Sequence, residues 1–312
     1  MSIVLLSLSL AGCEEPSALS RSAADISERN VDRIRPASRD VDRDRRDRLD
    51  RTGRRVGRGG AELLPHLGDY TVHESGFTTA RFKRAQGTLT VDLTNDCGDW
   101  SLQEKWDLQL SDQSDRIEQS NILYRASEIT SAERFRFAYS RQHMGEQVDF
   151  IGDVLPIDGG FQAIFIEPKI ADLFMSSEIV FPVTHLRQVL ASARRQRREF
   201  EALVFDGGNG FPYRAVTTIG RDRRQDDRNS RVVAARTELD QKTADRLPSG
   251  RNWPIRIDYF PEGDPNAPPV FTRQFLLHEN GIVLSFHFDY GDVQLDARLK
   301  NLDIHDPVDC PG

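Results

Sequence analysis

Cys13, Cys97 and Cys310 are the three cysteines of the chain, and their settings point to covalent chemistry more than to packing. Cys13 closes the run Leu10-Ala11-Gly12-Cys13, which looks like the lipobox of a bacterial lipoprotein, where a signal peptidase cuts before a diacylated cysteine. Glu14 follows it, where an Asp would signal retention at the inner membrane, so the expected address is the outer membrane. Residues 3–10 form the short apolar run of such a signal, although no Lys or Arg precedes them. The other two cysteines are an even set in an exported chain, which reads as one structural disulfide.

Other constellations with chemical potential are few. The chain has no G-x-S-x-G, H-E-x-x-H, P-loop or C-x-x-C motif. Asp206-Gly207-Gly208-Asn209-Gly210 resembles a phosphate or calcium loop, but it has neither the following helix nor the bidentate Glu that such sites use, so it is expected to be a tight turn. Seven histidines are dispersed. His278 and His287 fall on one face of a predicted hairpin, roughly 13 Å apart at the usual strand rise, too far to share a metal, and both are expected on the surface. No catalytic residue, metal or cofactor is assigned, and the protein is expected not to be an enzyme.

Charge divides the chain. Residues 14–60 hold 13 Arg and 10 acidic residues with almost no aromatic or clustered aliphatic side chains. Such a stretch cannot bury enough apolar surface to offset the entropy of ordering, so it is expected to be a disordered tether, solvated or lying against anionic lipid. As a flexible coil its 47 residues span about 40 Å on average. Residues 61–312 hold 29 basic and 39 acidic residues, an acidic body that disfavours nucleic acid as a partner. Within it, the polar Arg/Asp-rich segment 221–250 is expected to be a surface insertion.

The elements of that body alternate with period two at Leu89, Val91 and Leu93; at Trp106, Leu108 and Leu110; at Phe135, Phe137 and Tyr139; and at Val293, Leu295, Ala297 and Leu299. These are half-buried strands. Leu186, Val189, Leu190 and Ala193 instead recur at helical spacing, with Arg194, Arg195, Arg197 and Arg198 gathered at the end. The pattern predicts one amphipathic helix over about 185–199, N-capped by Thr184, its cations complementing the C-terminal dipole. Asn280-Gly281 predicts a type I′ hairpin in which Glu279 faces Ile282. That register puts Phe271, Phe275, Leu277, Ile282, Leu284, Phe286, Phe288 and Tyr290 on a dry face, and Thr272, Gln274, Ser285, His287 and Asp289 on a wet one. Gly291 is then expected to bend the strand on into residues 293–299.

Seven motifs in order carry a resemblance. They are Leu64-Pro65-His66, Asn95-Asp96-Cys97-Gly98, Phe181-Pro182-Val183-Thr184-His185, Phe205-Asp206-Gly207, Trp253-Pro254-Ile255-Arg256-Ile257-Asp258-Tyr259-Phe260, Glu279-Asn280-Gly281 and Asp289-Tyr290-Gly291-Asp292. Across residues 63–310 the chain resembles the EipB-like family of periplasmic cell-envelope-integrity proteins. The resemblance implies a mainly β fold, one curved antiparallel sheet coiled as a β-spiral or open barrel with a packed helix, and a disulfide joining Cys97 to Cys310. Such a bond would pin the end of an open sheet and guard its edge. The Asp/Arg tether and the 221–250 insertion depart from the family pattern.

His66, His185, Trp253 and Asp292 lie in these motifs, where packing and hydrogen bonding explain them better than catalysis. The function expected is a non-enzymatic scaffold or adaptor in the periplasm, lipid-anchored through Cys13, whose partner is another envelope protein. The alternatives are a carrier holding a lipid or other hydrophobic ligand in the apolar concavity, which a packed interior would oppose, and a hydrolase, which would need His66 or His185 to meet a carboxylate and a hydroxyl.

Overall fold

Alternating side chains, one set inward and one outward, build almost everything in this chain. The structure, a computed structural model, describes residues 63–77, 82–224, 238–239, 244, 247–263, 266–291 and 293–310. The expected signal (1–13), the tether (14–60) and most of the 221–250 segment lie outside the described residues. The first eight strands are β1 (His66–Phe77), β2 (Phe82–Asp96), β3 (Asp99–Asp112), β4 (Ile117–Ile129), β5 (Arg134–His143), β6 (Glu146–Ile157), β7 (Gly160–Glu167) and β8 (Leu173–Ser176). After β9 (Ile179–Val180) comes helix α1 (Pro182–Arg194), then β10 (Glu199–Val204), β11 (Tyr213–Ile219), β12 (Arg223–Arg224), β13 (Arg251–Pro261), β14 (Phe271–His278), β15 (Val283–Asp289) and β16 (Val293–Ile304).

All sixteen strands join one sheet, in the order β8-β7-β6-β5-β4-β3-β2-β1-β16-β15-β14-β13-β11-β10-β9, with β12 beside β13. From β1 in the middle, the strands meander out to one edge at β8 and resume at the opposite edge with β9. It then meanders back until β16 lies antiparallel to β1, from His66 opposite Ile304 to Phe77 opposite Val293. Pairing is antiparallel throughout except between β9 and β10, where helix α1 makes the crossover a parallel pair requires. Residues placed on buried faces by alternation are buried: Leu89, Val91 and Leu93, Trp106, Leu108 and Leu110, Phe135, Phe137 and Tyr139, and Val293, Leu295, Ala297 and Leu299.

Several local expectations are corrected. The helix begins earlier and ends earlier than the spacing predicts. Pro182 takes the first helical position, Phe181 is the N-cap, and Thr184 sits inside the first turn. Residues 195–198 leave the helix because Gln196 turns left-handed (φ 60°) and Glu199 already starts β10. The Asn280-Gly281 turn is not type I′. His278 N–H donates to Ile282 O and the loop is three residues, with positive φ at Gly281 but not at Asn280. The expected register nevertheless holds from Thr272 opposite Asp289 to Leu276 opposite Ser285, and then shifts so that Leu277 faces Val283. Type I′-like loops, with both φ values positive, occur instead at Cys97-Gly98 and Met144-Gly145. Gly291 (φ 81°) lies in a turn between two antiparallel strands, not at a bend within one.

Candidate functional site

The concave side of the sheet is where a ligand or a reaction would have to sit, and side chains from three sources fill it. The sheet itself contributes Phe275, Leu277, Phe286 and Phe288, all buried. Helix α1 packs Val183, Leu186, Val189 and Leu190 into one end. The loop from Phe205 to Gly210 enters as well. Phe205 and Asp206 are fully buried, and Gly207 (φ 78°) lies so close to the Phe137 ring that a Cβ there would approach it to 2.2 Å. The turn foreseen at 206–210 is thus an interior plug. Between the helix and β1–β3 a cavity of about 10 Å³ remains, lined mainly by Tyr70, Val91, Leu93, Leu186 and Phe286. That space is about one water molecule in size, too small for an acyl chain.

Within this interior lies a polar centre that the sequence reading missed, although strand parity could have signalled it. Arg273 shares the inward parity of Phe271 and Phe275 and is 1% exposed, its guanidinium 5.1 Å from the Phe288 ring centroid. Glu104, from β3, is its leading countercharge, with Asp206 and the hydroxyls of Tyr259 and Tyr290 nearby. Burial raises Tyr213, Tyr259 and Tyr290 well above the ordinary phenol range and pushes Tyr139 up to about 12, so all four are neutral donors or acceptors. Tyr124 Oη donates to Asp206 O at 2.9 Å, and Asp206 Oδ1 accepts Gly208 N–H at 2.9 Å, which pins the plug loop to β4. This centre is enclosed by aromatic rings and orders the core.

The start of helix α1 is capped from outside its own segment. Glu128, at the end of β4, accepts Val183 N–H at 2.5 Å, Thr184 N–H at 3.0 Å and the Thr184 hydroxyl at 2.6 Å. Burial raises its carboxyl above the usual range, and those donors oppose the shift. A carboxylate here meets both the orphan amides and the positive end of the helix.

The histidines and other motif residues are scattered. His66 is buried with Nδ1 2.7 Å from Leu64 O, and burial lowers its pKa to about 4. His185, on α1, is buried against Phe200 and lowered to about 3 by burial. Trp253 is buried under the Arg251 guanidinium. Asp292 lies outside the described residues. His278 is not a surface residue: it is fully buried, bonded to Asn280 Oδ1 at 2.6 Å and overlain by the backbone near Pro248, which strand alternation cannot foresee. His287 is partly exposed and has Asp296 Oδ1 at 2.7 Å and Ser75 Oγ at 3.4 Å, both on the same Nδ1. A nucleophile relay needs the two partners on opposite ring nitrogens, so this trio is an ion pair with a neighbouring hydroxyl. Among the described residues no group of three or more His, Cys, Asp or Glu could hold a metal ion.

Cys97 and Cys310 form a disulfide with Cα atoms 5.4 Å apart. It does not guard a sheet edge as expected, because β16 lies in the middle of the sheet and the edges are β8 and β9. The bond holds the tail beyond β16 against the β2–β3 turn, where His305 also donates its backbone N–H to Pro65 O and pairs with Asp92 at 2.8 Å. Cys13 lies outside the described residues.

On the outer surface, apolar residues gather over the last strands before the β8 edge. Ile151 and Ile157 of β6, Ile166 of β7 and Phe174 of β8 are 38%, 40%, 55% and 67% exposed. Among them on β6, Asp153 stands opposite Ile164 and is held by Arg134 at 2.9 Å and Arg136 at 3.0 Å.

Fold and interior together define a class: a single-sheet antiparallel β protein wound almost closed around a helix and an internal loop, with one disulfide at its C-terminal end. The chain belongs to the EipB-like family, whose model matches residues 58–306. It is similar to the cell envelope integrity protein EipB of Brucella abortus (strain 2308), with 24% identity over 129 residues. That alignment covers 40% of this chain and 42% of the relative, so the chain spans less than half the length of the curated relative it matches. Among solved structures it is similar to a crystal structure of a beta-barrel-like protein of domain of unknown function DUF1849, also from Brucella abortus. The TM-score is 0.68 and the identity 20%, covering 79% of this chain and 100% of that one, and this likeness shows the fold.

Proposed function

We propose that the protein is a non-enzymatic scaffold or adaptor of the cell envelope, which binds another envelope protein and so supports barrier integrity. The observation that carries this reading is the family membership taken together with the similarity to a cell envelope integrity protein. The packed interior supports a role for the outer surface over one for an enclosed ligand. Export to the periplasm, lipid anchoring at Cys13 and suspension of the body on the 14–60 tether belong to the same proposal and rest on the motif at residues 10–13.

Crosslinking the full chain in its native envelope, followed by affinity purification, tests the reading. The expected result is one envelope protein recovered in fixed ratio to the bait and absent from a mock bait, with a deletion strain that is more sensitive to detergent. Lipid recovered without any protein would replace the adaptor with the carrier. For the anchor, Cys13→Ser is expected to release the protein into the soluble periplasm, and unchanged membrane association would rule out lipidation.

A further inference from the structure

Edge strand β8 is built unlike an edge that must avoid partners. Its four residues, Leu173-Phe174-Met175-Ser176, contain no charge and no proline. One flank pairs with β7 from Gly160 opposite Ser176 to Ala163 opposite Leu173. The other flank has no strand partner among the described residues, because β9 turns away to pair with β10. Native edges are usually blunted by shortness, Lys, Pro or a bulge, since a free row of N–H and C=O groups templates another strand; β8 is short but has none of the other three. Here the side chains beside that row strengthen the invitation. Phe174 points outward next to Gln162, and the surface continues through Ile164 and Ile166 to Ile151, Leu155 and Ile157. Exposed apolar side chains gathered beside an open edge, here interspersed with Gln162 and the ion-paired Asp153, mark an interaction site.

Charge decides the occupant. Asp172 and Glu178 bracket β8, and Glu167 and Lys169 precede it in the hairpin, so the local balance is acidic, as is the whole body. A second copy pairing edge to edge about a two-fold axis would bring Asp172 of one chain beside Glu178 of its mate and stack like charges at both ends, which is destabilising. An anionic lipid surface would meet the same acids. A strand with apolar outward side chains and Lys or Arg at its ends would meet its complement at each position.

We infer that β8 and the outer face of β6–β8 are the docking surface of the proposed adaptor, and that its occupant is an extended segment of another protein, apolar in alternation and basic at its ends, which adds to the sheet as a further strand. Main-chain hydrogen bonds supply affinity in this mode, and side chains such as Phe174 supply specificity. The inference rests on the adaptor reading but is tested separately from it.

The probe is the peptide Lys-Lys-Val-Thr-Ile-Thr-Val-Lys-Lys, with a Glu-flanked twin and a twin carrying Pro at its centre, titrated against the full chain. The lysine-flanked peptide is expected to bind, to weaken as salt rises, and to slow hydrogen exchange of the amides at 172–176. Phe174→Lys and, separately, Ile166→Lys are expected to weaken it about tenfold with the thermal midpoint unchanged, because both side chains are more than half exposed. Equal affinity for Phe174→Lys, equal binding of the Glu-flanked twin, or no binding at all overturns the proposal. So does a concentration-dependent dimer that Phe174→Lys abolishes, which makes the occupant a second copy, or co-sedimentation with phosphatidylglycerol vesicles that Phe174→Lys abolishes, which makes it a membrane. Capture of the same envelope protein by wild type and Phe174→Lys alike would keep the adaptor and sink this surface.

Discussion

At the scale of single residues, burial decides which titratable groups respond to pH. His66 and His185 sit in the core and are neutral across the physiological range; His66 bonds Leu64 O and His185 packs against Phe200. His287 differs because Asp296 faces it at 2.7 Å in a partly open setting. That partner raises the imidazole above its ordinary value, and the imidazole lowers the carboxyl of Asp296. A raised histidine contributes stability fully below its unfolded pKa of about 6.5 and loses it as pH climbs through the folded value; a lowered carboxylate contributes above about 3.9 and loses it as pH falls. The pair therefore stabilises most between about pH 4 and 6.5. Urea midpoints for wild type and His287→Asn should differ in that window and converge above it, and a difference growing with alkalinity would contradict the pairing.

At the scale of elements, helix α1 shows how far a local pattern reaches. Leu186, Val189, Leu190 and Ala193 announce a helix from their spacing, and all four are buried. The spacing does not give the ends, because the cap is supplied by Glu128, 55 residues away from Val183. Glu128→Ala should cost about 2–3 kcal/mol, the loss of a cap together with buried unpaired amides. Glu128→Gln, which keeps an accepting oxygen, should cost about half as much. Denaturant midpoints measure both, and equal losses would mean that the charge, not the hydrogen bonding, holds the helix. The hairpin of β14 and β15 teaches a similar lesson. Its register follows from which residues are apolar, whereas its turn is set by Gly281, whose Cα lies against Leu63 so that an added Cβ would approach that side chain to 2.5 Å.

At the scale of the whole molecule, the first and last strands, β1 and β16, pair in the middle of the sheet. The disulfide reinforces that junction from the tail, linking residues 213 positions apart. Loop-closure entropy puts its contribution at roughly 5 kcal/mol as a ceiling. Cys97→Ser with Cys310→Ser should lower the thermal midpoint by several degrees and leave the β-sheet circular dichroism intact, because the seam keeps its ladder of main-chain hydrogen bonds. Collapse of the spectrum would show that the ladder depends on the bond. The mid-sheet position of β1 and β16 leaves the free edges at β8 and β9.

Period-two alternation along β2, β3, β5 and β16 by itself determined those strands and their buried faces, because a pleated strand sends neighbouring side chains to opposite sides whatever they pack against, and the Asn280-Gly281 dipeptide with its flanking pattern determined most of the β14–β15 register. The same alternation put Arg273 inward, a signal present in the sequence although only the fold shows Glu104 and Asp206 around it. Tertiary structure alone decided that residues 205–210 plug the interior, that a distant glutamate caps the helix, that His278 is covered, and that β8 is an edge. Each depends on segments far apart in the chain meeting in space, and a local pattern carries no information about what lies across the sheet.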